Sequence, residues 1–341
     1  MILYSVCGEG KGHAVRSGVV IKHILKQHNV MITAYGEAYT YLKPLFGKRV
    51  KRIIGGRFVY RNNKLAKVPT VASFILKFPF FLLYNGTVFL KLLFRKNPKL
   101  IISDYESTSH YFSRIIGIPC VDIDNIRSMT HTNISPLKRP FDVGFALGFL
   151  HPNPDLMLIT YFTNLKNDEK HIKVIPPILR EKIINAKTSK GEHVVVYQTS
   201  SSNKKMIPHL KRSNRIFNIY GMGKARKEGN LEFKNFNEKE FIKDMASSKY
   251  VIVNGGFTVI SEALHMKKPV LSVPVENHFE QFFNAYKLRE SGYGDYTEKI
   301  TYSDIQSFEK NLFKFKENLK DYKQDSPFPE IDKAINKFSR S

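Results

Sequence analysis

A histidine follows a glycine-rich turn near the start of the chain. The apolar run Ile2–Val6 predicts a buried strand, and the residues after it read CGEGKGH, with a helix expected from about His13. Glycines let the backbone turn tightly and approach a ligand, and the free amides at the start of a helix attract anions. An imidazole has an ordinary pKa of about 6.5 and can accept a proton at neutral pH. His13 is therefore a candidate general base, and the alternative is a histidine that only caps the helix or faces solvent.

A second glycine-rich turn lies in the C-terminal half and is followed by an acid. Residues 250–254 predict a strand that ends at Gly255 and Gly256, and Thr258 is expected to start a helix whose free amides can hold a diphosphate. Glu262 lies about one turn into that helix, where a carboxylate can accept hydrogen bonds from both hydroxyls of a ribose. The alternative is an ordinary strand-to-helix turn in which Glu262 is a solvated acid.

Further polar residues follow other predicted strands. In the N-terminal half the chain reads SDYE at 103–106 and DIDN at 122–125. Because the carboxyl ends of parallel strands meet at one edge of a sheet, these carboxylates could orient the candidate base, contact an acceptor or serve as the base, although Asp104 could also cap a helix. In the C-terminal half, the hydroxyls and amides of Thr199 and Ser200 could donate to phosphates.

Short buried strands alternate with helical patterns along the whole chain. The pattern predicts strands at residues 2–6, 30–34, 50–54, 100–103, 119–123, 193–198, 215–220, 250–254 and 269–273. Each is followed by a turn and an amphipathic stretch, as in βαβ units with a parallel sheet. We therefore expect an α/β fold with two doubly wound Rossmann-like domains, 1–180 and 190–325, and with ligands in the cleft between them. The helical stretch 326–341 is expected to pack back on the N-terminal domain.

The composition excludes several classes of protein. The 341 residues are 42% apolar and 13% aromatic, enough to bury a core, which excludes global disorder. Only Cys7 and Cys120 are present, too far apart in sequence for a disulfide framework or a cysteine-based zinc site. The chain opens without the basic flank, apolar run and cleavage site of a secretory signal. We therefore expect a cytoplasmic protein in a reducing compartment.

The protein has a net charge of +24, and its basic residues are most concentrated in residues 38–103, which contain no Asp or Glu. This acid-free segment includes the apolar and aromatic stretch 68–94. Cations beside apolar side chains suit the lipid headgroup boundary, so we interpret this segment as a peripheral membrane face that meets an anionic surface. It is a poor membrane span, because a proline, an Asn-Gly pair and two lysines interrupt it and its uncharged run is shorter than about 18 residues. The alternatives are two helices packed into the core, with lysines reaching to water, and a nucleic-acid face.

The second glycine-rich turn belongs to a longer motif. The chain reads NGGFTVISEAL at 254–264, KKPVLSVP at 267–274 and EQFFNA at 280–285. This motif resembles the donor site of GT-B glycosyltransferases. The resemblance is to the family-28-like branch that contains the peptidoglycan N-acetylglucosaminyltransferase and the monogalactosyldiacylglycerol synthases, and more distantly to the UDP-glycosyltransferases. The turn before His13 is a second point of resemblance, since the family carries a histidine there that is often assigned as the base.

The resemblance implies roles for individual residues. The diphosphate would be held by Gly255, Gly256, Phe257 and Thr258, the ribose by Glu262, and the sugar hydroxyls by Glu280 and Gln281. Asn254 departs from the plant-type enzymes, which place a phosphate-binding histidine there, and the loop 274–281 is longer than theirs. The SDYE and DIDN sequences resemble SDxE and IDN signatures of a bacterial and archaeal branch. Because this branch generally needs no divalent ion, no metal and no other cofactor is expected.

Together these features predict an inverting glycosyltransferase that moves a sugar from a nucleotide-sugar donor, a UDP-sugar, to a lipid-linked or other acceptor at the cytoplasmic face of a membrane, in cell-envelope glycan synthesis. His13 would take the acceptor proton, and Asp104 would be the second catalytic residue, which orients His13, contacts the acceptor or acts as the base itself. The acceptor would contact Gly10, Gly12, Glu106 and Asn125. The alternatives are a sugar-nucleotide 2-epimerase of the same fold, and a protein that binds or modifies nucleic acid through the basic face. The sequence specifies neither the sugar nor the acceptor.

Overall fold

The computed structural model describes residues 1–339 except for 62–63, 133, 135–136, 139, 141–142, 145–147, 149–150, 166–168 and 199–203. The chain divides into two compact units. The N-terminal unit comprises Met1–Val59, Ala66–Ile178 and Asp325–Ser341, and the C-terminal unit comprises Tyr60–Leu65 and Leu179–Gln324. Each unit is built on its own seven-stranded, mainly parallel sheet, so the predicted α/β fold class is confirmed.

The N-terminal sheet is parallel, in the order β3-β2-β1-β6-β7-β8-β9. Its strands are β1 (Ile2–Val6), β2 (Val30–Ala34), β3 (Val50–Arg52), β6 (Leu100–Asp104), β7 (Cys120–Asp124), β8 (Leu156–Thr160) and β9 (Ile172–Ile175). Helices cover parallel sheets on both faces, so the inner strands read as continuous apolar runs. In the register Val6 lies beside Asp104, so the turn after β1 and the end of β6 share the carboxyl edge of the sheet.

The helices of this unit flank the sheet. They are α1 (Lys11–Ile24), α2 (Gly36–Phe46), α3 (Lys67–Lys96), α4 (Ser107–Ile116), α5 (Ser128–His131) and the last helix of the chain, α13 (Phe328–Ser339). Ile331, Ala334 and Ile335 of α13 are buried in the same core as β1 and α1. The apolar side chains of α13 recur at helical spacing, so one face of that helix supplies this contact.

Helix α3 is a single continuous helix of 30 residues. Asn85 and Gly86 do not interrupt it, because they are the residues that dock it: the Asn85 amide donates to the Ile54 carbonyl at 2.8 Å, and a Cβ at Gly86 would lie 2.9 Å from the Phe112 ring. By length and composition alone α3 could cross a membrane, which corrects the expectation that 68–94 is too interrupted. Only 28% of its most apolar 18-residue window is buried in the protein.

The C-terminal sheet has the order β12-β13-β11-β10-β14-β15-β16, and only its edge strand β12 runs antiparallel to its neighbour. Its strands are β10 (Val194–Tyr197), β11 (Phe217–Tyr220), β12 (Arg226–Glu228), β13 (Leu231–Lys234), β14 (Val251–Val253), β15 (Val270–Ser272) and β16 (Gly294–Tyr296). The carboxyl ends of β10 and β14, which pair directly, therefore lie side by side.

The helices of the C-terminal unit connect these strands. They are α6 (Glu181–Ile184), α7 (Ile207–Lys211), α8 (Glu238–Ser247), α9 (Phe257–His265), α10 (Phe279–Glu290), α11 (Tyr302–Lys310) and α12 (Leu312–Lys320). A short hairpin of β4 (Tyr60–Arg61) and β5 (Lys64–Leu65) also belongs to this unit. The hairpin is held to the loop before α10, where the Leu65 amide donates to the Glu276 carbonyl at 3.1 Å.

Candidate active site

His13 and Asp104 form a hydrogen-bonded pair at the carboxyl edge of the N-terminal sheet. His13 lies in the first turn of α1 and Asp104 is the last residue of β6, and Nδ1 of His13 is 2.7 Å from Oδ1 of Asp104. The carboxylate is fully buried, whereas 12% of the His13 side chain is exposed. Because a carboxylate can only accept, this hydrogen bond requires the proton on Nδ1, and the lone pair of the neutral ring is then on Nε2; a terminal nitrogen of Arg16 also lies 3.0 Å from Nδ1. This arrangement suits a base oriented by an acid.

Arg16 neutralises the charge of the same carboxylate. Its Nε donates to Oδ2 of Asp104 at 3.1 Å, its terminal nitrogen donates to Oδ1 at 2.5 Å, and Ser17 donates to Oδ2 at 2.7 Å. The other terminal nitrogen of Arg16 donates to Oδ1 of Asn125 at 2.6 Å, so the predicted acceptor residue Asn125 supports Arg16. Burial alone would raise the pKa of Asp104, but Arg16 and His13 lower it below its ordinary value. Asp104 is therefore ionised at neutral pH.

The glycines of the first turn shape the start of α1. Gly10 precedes the helix with a φ of 81°, a conformation that favours glycine, and no side chain caps the helix there. Gly12 is the second residue of α1 and is half-buried. Gly8 packs so closely on the backbone of Tyr35 that a Cβ would lie 2.2 Å from its carbonyl oxygen. The first turn of α1 therefore keeps amide groups without a side-chain cap beside His13.

Glu106 caps the helix that follows it. It is the N-cap of α4, and its carboxylate accepts hydrogen bonds from the Thr108 amide at 3.0 Å, the Ser109 amide at 2.8 Å and the Thr108 hydroxyl at 2.7 Å. The side chain is buried, so its two oxygens are used inside the protein. The capping role considered for Asp104 therefore belongs to Glu106, two residues later, and the predicted contact of Glu106 with an acceptor stays a prediction.

The second carboxylate cluster, at the end of β7, is an internal ion-pair network. Oδ1 of Asp122 accepts from Nε2 of His110 at 2.7 Å, and its Oδ2 accepts from Nε of Arg127 at 2.7 Å. These cations lower the pKa of Asp122 against the effect of burial. Asp124, two residues on, has a pKa raised to about 6 by burial and by the charge of Asp122. Oδ2 of Asp124 is buried and has no hydrogen-bond partner among the described residues.

His110, Cys120 and Asp122 place one potential metal ligand each within 4.8 Å of one another. Their ligand atoms are already engaged or unsuitable, however. Nδ1 of His110 lies 2.9 Å from the Glu106 carbonyl and Nε2 is bonded to Asp122, while burial raises the pKa of the Cys120 thiol. The Arg127 guanidinium beside Asp122 would also repel a cation. We therefore assign this cluster to the ion-pair network.

The second glycine-rich turn leads into α9 as a backbone cradle. Gly255 has a φ of 94°, and a Cβ there would lie 2.6 Å from the Gln281 carbonyl oxygen, so both conformation and space require glycine. Gly256 is the N-cap of α9, has no side-chain cap, and a Cβ there would meet nothing within 4 Å. Phe257 is buried and Thr258 half-buried in the first turn. The start of α9 is therefore open to a ligand that accepts hydrogen bonds from amides.

Glu262 lies in the second turn of α9 and is paired with Arg180. Its Oε1 accepts from Nε of Arg180 at 2.8 Å, and its Oε2 accepts from a terminal nitrogen at 2.7 Å. Arg180 also donates to Glu238 at 2.6 Å. Glu262 is only 1% exposed, and burial raises its pKa while Arg180 opposes that rise. The predicted ribose ligand is thus already oriented by a bidentate partner, and binding of a ribose would have to use its remaining lone pairs.

The other predicted donor residues lie around the start of α10. Glu280 and Gln281 are half-buried in its first turn, and Oε1 of Gln281 accepts from the Val275 amide at 2.9 Å. That bond leaves the Gln281 amide nitrogen as the group that can face a sugar. Thr199 and Ser200 lie outside the described residues. None of these placements tests the predicted contacts with a donor, which stay predictions.

Sequence reasoning missed Arg16 and Arg180. The position of Arg16, three residues after His13 in a predicted helix, puts both side chains on one face and could have indicated the contact. No sequence signal marks Arg180, because its partner Glu262 is 82 residues away. Both arginines donate to a carboxylate that the sequence predicts to be a site residue.

Comparison with known proteins identifies the family. Residues 1–313 match the family described as glycosyl transferase family 1. A relative from Methanosarcina acetivorans, named an uncharacterized glycosyltransferase, is 22% identical, with 86% of this chain and 84% of the relative covered. The structure of MurG from Acinetobacter baumannii is 15% identical with a TM-score of 0.65, covering 98% of this chain and 99% of that chain. UGT89C1 of Arabidopsis thaliana, solved in complex with UDP, is 13% identical with a TM-score of 0.65, covering 99% of both chains.

At these identities the two solved structures are similar to this chain in fold alone, and they confirm the predicted GT-B architecture of two Rossmann-like domains. The match to the family model extends over most of the chain. It does not distinguish the family-28-like branch, which stays a prediction. The chain belongs to glycosyl transferase family 1 and is a glycosyltransferase.

Proposed function

We propose that this protein is an inverting glycosyltransferase that transfers a sugar from a UDP-sugar to an acceptor at a membrane surface. The observation that carries the proposal is the hydrogen bond between His13 and the buried Asp104, which leaves Nε2 of His13 free to accept a proton. The comparisons give no support to a sugar-nucleotide 2-epimerase or to a nucleic-acid-binding protein.

The C-terminal unit would hold the donor. The start of α9 has an open glycine N-cap and no side-chain cap, so its amides can donate to a diphosphate, and the positive end of the helix dipole favours that anion. The carboxylate of Glu262 follows in the next turn, with its orientation set by Arg180. A related fold binds UDP in the Arabidopsis UGT89C1 structure. These features support UDP as the activating group.

The N-terminal unit would activate the acceptor. Nε2 of His13 takes the proton of an acceptor hydroxyl or phosphate as that oxygen forms a bond to the anomeric carbon, and the bond from this carbon to the diphosphate oxygen breaks. UDP leaves with the electron pair, and the single displacement inverts the configuration. Asp104 stabilises the imidazolium that forms, and a base of this kind accounts for about 10² to 10⁴ in rate.

The exposed face of α3 supports a membrane-bound acceptor. Eight of the fourteen exposed large apolar side chains among the described residues are on this helix: Val68, Ile75, Leu76, Phe80, Leu83, Tyr84, Leu90 and Phe94. Lys77, Lys91 and Arg95 lie in the same helix. An apolar face flanked by cations suits the boundary between acyl chains and anionic headgroups.

The opposite face of α3 favours a helix that lies along the membrane over one that crosses it. Phe78, Phe81, Phe89 and Leu92 are buried against the N-terminal unit. Asn85 is fully buried and bonded to Thr108 at 3.1 Å as well as to Ile54. A helix that crossed the bilayer would expose this polar side chain to lipid or break these contacts. The proposed location is therefore peripheral, at the cytoplasmic face.

A thermal-shift screen tests the donor part of the proposal. UDP and a panel of UDP-sugars should each raise the melting temperature, because a ligand at 100 times its dissociation constant stabilises a protein by about 2.7 kcal/mol. ADP and GDP are the matched controls and should have little effect. An equal shift with all three diphosphates, or none with any uridine nucleotide at millimolar concentration, would contradict a UDP-sugar donor.

A further inference from the structure

Tyr105 has a backbone conformation that its residue type disfavours. Its φ is 53°, and the other non-glycine residues with positive φ in the described part of the chain are Asn97, Lys267 and Asn277. Asparagine tolerates this region, and Asn97 and Lys267 both lie at the ends of helices, where left-handed residues are common. Tyr105 has neither explanation. A bulky residue with positive φ is an outlier that points to a local function.

The strained residue lies in a two-residue connection between two fixed elements. β6 ends at Asp104 and α4 begins at Ser107, so only Tyr105 and Glu106 join them. The Glu106 amide donates to the Ser103 hydroxyl at 3.1 Å, and the Glu106 carboxylate caps α4. Glycine would adopt this turn without strain. The connection carries a tyrosine instead, directly after the carboxylate that orients His13.

The Tyr105 ring is nearly parallel to two histidine rings. The centroid of the His151 ring is 3.9 Å from that of Tyr105 with an interplanar angle of 13°, and the His13 centroid is 6.0 Å away with an angle of 16°. His151 is buried, and burial together with His110 and Arg127 holds its pKa well below the ordinary value. It therefore packs against Tyr105 as a neutral ring, so the stack contains no buried uncompensated cation.

The ion-pair network at the end of β7 holds His151 in place. His110 meets His151 edge to face, with centroids 5.7 Å apart at 83°, and His110 is in turn hydrogen-bonded to Asp122. The Ser107 hydroxyl lies 3.1 Å from Nε2 of His151. His151 therefore cannot move away from Tyr105 without breaking buried contacts, and the Tyr105 ring keeps a fixed neighbour.

We propose that Tyr105 is a positioning residue for His13: its ring, aimed by the strained turn and supported by His151, limits rotation of the imidazole so that Nδ1 stays on Asp104 and Nε2 faces the acceptor. This inference rests on the proposed role of His13 as the base. Asp104 fixes one atom of the ring, and an adjacent parallel ring fixes its plane. Small errors in such a geometry cost about 10²-fold in rate.

Three substitutions separate the ring from the backbone strain. Tyr105→Phe keeps the ring, Tyr105→Ala removes the ring and keeps the strain, and Tyr105→Gly removes both. We expect the glycine variant to melt about 2 °C or more above the alanine variant, because only the alanine retains a Cβ at positive φ. With the UDP-sugar that gives the largest thermal shift, hydrolysis by Tyr105→Ala and Tyr105→Gly should fall about 10- to 100-fold in kcat, with KM unchanged within about twofold. Tyr105→Phe should retain the wild-type kcat.

Comparison of kcat with the melting temperature distinguishes a positioning role of Tyr105 from a purely structural one. If Tyr105 were only structural, kcat would follow the melting temperature and the glycine variant would exceed the alanine variant. Equal losses in both variants support positioning. Retention of kcat within about twofold in both variants would overturn the proposal.

A spectroscopic readout tests the geometry without any turnover. In long-range ¹H–¹⁵N spectra of the full chain labelled at histidine, with the His13 signals assigned from a His13→Gln sample, wild type and Tyr105→Phe should show the Nδ1-protonated tautomer of His13. Tyr105→Ala and Tyr105→Gly should show a mixture of tautomers. An unchanged tautomer in both would overturn the proposal even if activity falls. Wild-type protein that shows the tautomer but neither binds UDP nor hydrolyses a UDP-sugar would instead contradict the proposed function.

Discussion

Oδ1 of Asp104 is shared between Nδ1 of His13, at 2.7 Å, and a terminal nitrogen of Arg16, at 2.5 Å. One buried carboxylate therefore orients a candidate base and is itself neutralised by a cation that lies within the same helix, α1. The arrangement keeps Asp104 ionised without leaving a net buried charge beside the substrate. It also makes His13, Arg16 and Asp104 one unit, so substitutions within it should not be additive.

Replacing Asp104 should damage both activity and stability. Asp104→Asn keeps the shape but leaves the guanidinium of Arg16 buried without its counterion, and we expect a loss of about 3 kcal/mol in the free energy of unfolding. Because the pKa of Asp104 is lowered in the folded state, its contribution is present above its unfolded pKa and is lost as the pH falls. Urea titrations from pH 7 to pH 3 should therefore show a smaller acid destabilisation in the variant than in wild type. An equal loss of stability with falling pH in wild type and in the variant would contradict an ionised Asp104 in the folded protein.

Asp124 should make the free energy of unfolding depend on pH in the opposite direction from Asp104. Its pKa is raised from 3.8 to about 6 on folding, so the folded state binds more protons than the unfolded state between these values, and stability falls as the pH rises through this window. Asp124→Asn should lack that fall, so its stability relative to wild type should increase as the pH rises through this window. Urea titrations at pH 4, 5, 6 and 7.5 measure the difference.

Asp321→Asn is a matched control for Asp124→Asn, since Asp321 is exposed in the C-terminal unit. It should follow wild type at every pH. A difference between Asp124→Asn and wild type that stays constant from pH 4 to 7.5 would show that the effect does not come from a buried charge.

Arg180 should control donor binding through Glu262. Arg180→Lys keeps the charge but cannot donate two parallel hydrogen bonds, and we expect about 10-fold weaker binding of UDP. In Arg180→Met, Glu262 loses the cation that opposes the rise of its pKa on burial. Glu262 then takes up a proton more readily, so UDP affinity should increase as the pH rises. Isothermal titration at pH 6, 7 and 8 measures both effects. Lys182→Met, which loses an exposed ion pair to Glu238, should bind UDP as wild type does.

The exposed face of α3 should bind anionic membranes. Leu76 and Leu83 are 81% and 74% exposed, so Leu76→Glu/Leu83→Glu should leave the fold intact and reduce flotation with vesicles of phosphatidylglycerol and phosphatidylcholine. Phe313→Glu, at an equally exposed site in the C-terminal unit, is the control and should float as wild type does. Raising the salt concentration should also reduce flotation. Equal flotation of all three proteins would contradict the proposed membrane face.

Much of the fold could be predicted because buried parallel strands are continuous apolar runs. The runs at 2–6 and 30–34 became β1 and β2 with the same bounds. The inner strands β8 and β13 were missed despite their buried side chains. The edge strands β9, β12 and β16 were also missed, since β9 carries the half-buried Lys173 and the other two have only three residues each. A single sequence signals an edge strand weakly, because it needs less apolar surface than an inner one.

The misjudged helix and the missed arginines share a physical cause. Asn85 was interpreted as an interruption of an apolar stretch, but its side chain is bonded to Ile54 and Thr108, which only tertiary contact can reveal. Arg16 was missed although it lies three residues after His13, because its partner Asp104 is 88 residues away and only tertiary contact brings the two together. Residue types and local spacing thus predicted the turns around His13 and before α9, whereas the partners that hold their carboxylates are set by the packing of distant segments.

Binding of UDP to wild type and to Glu262→Gln is the most direct test of the account. The substitution keeps the size of the side chain and a hydrogen-bond acceptor for Arg180, but it removes the charge that a ribose hydroxyl would meet. Isothermal titration should show binding of UDP by wild type, a loss of about 10-fold or more in the variant, and no loss in Glu228→Gln, a half-buried acid of the same unit that is paired with Arg226. A folded Glu262→Gln protein that binds UDP as tightly as wild type, or a wild type that does not bind UDP, would contradict it.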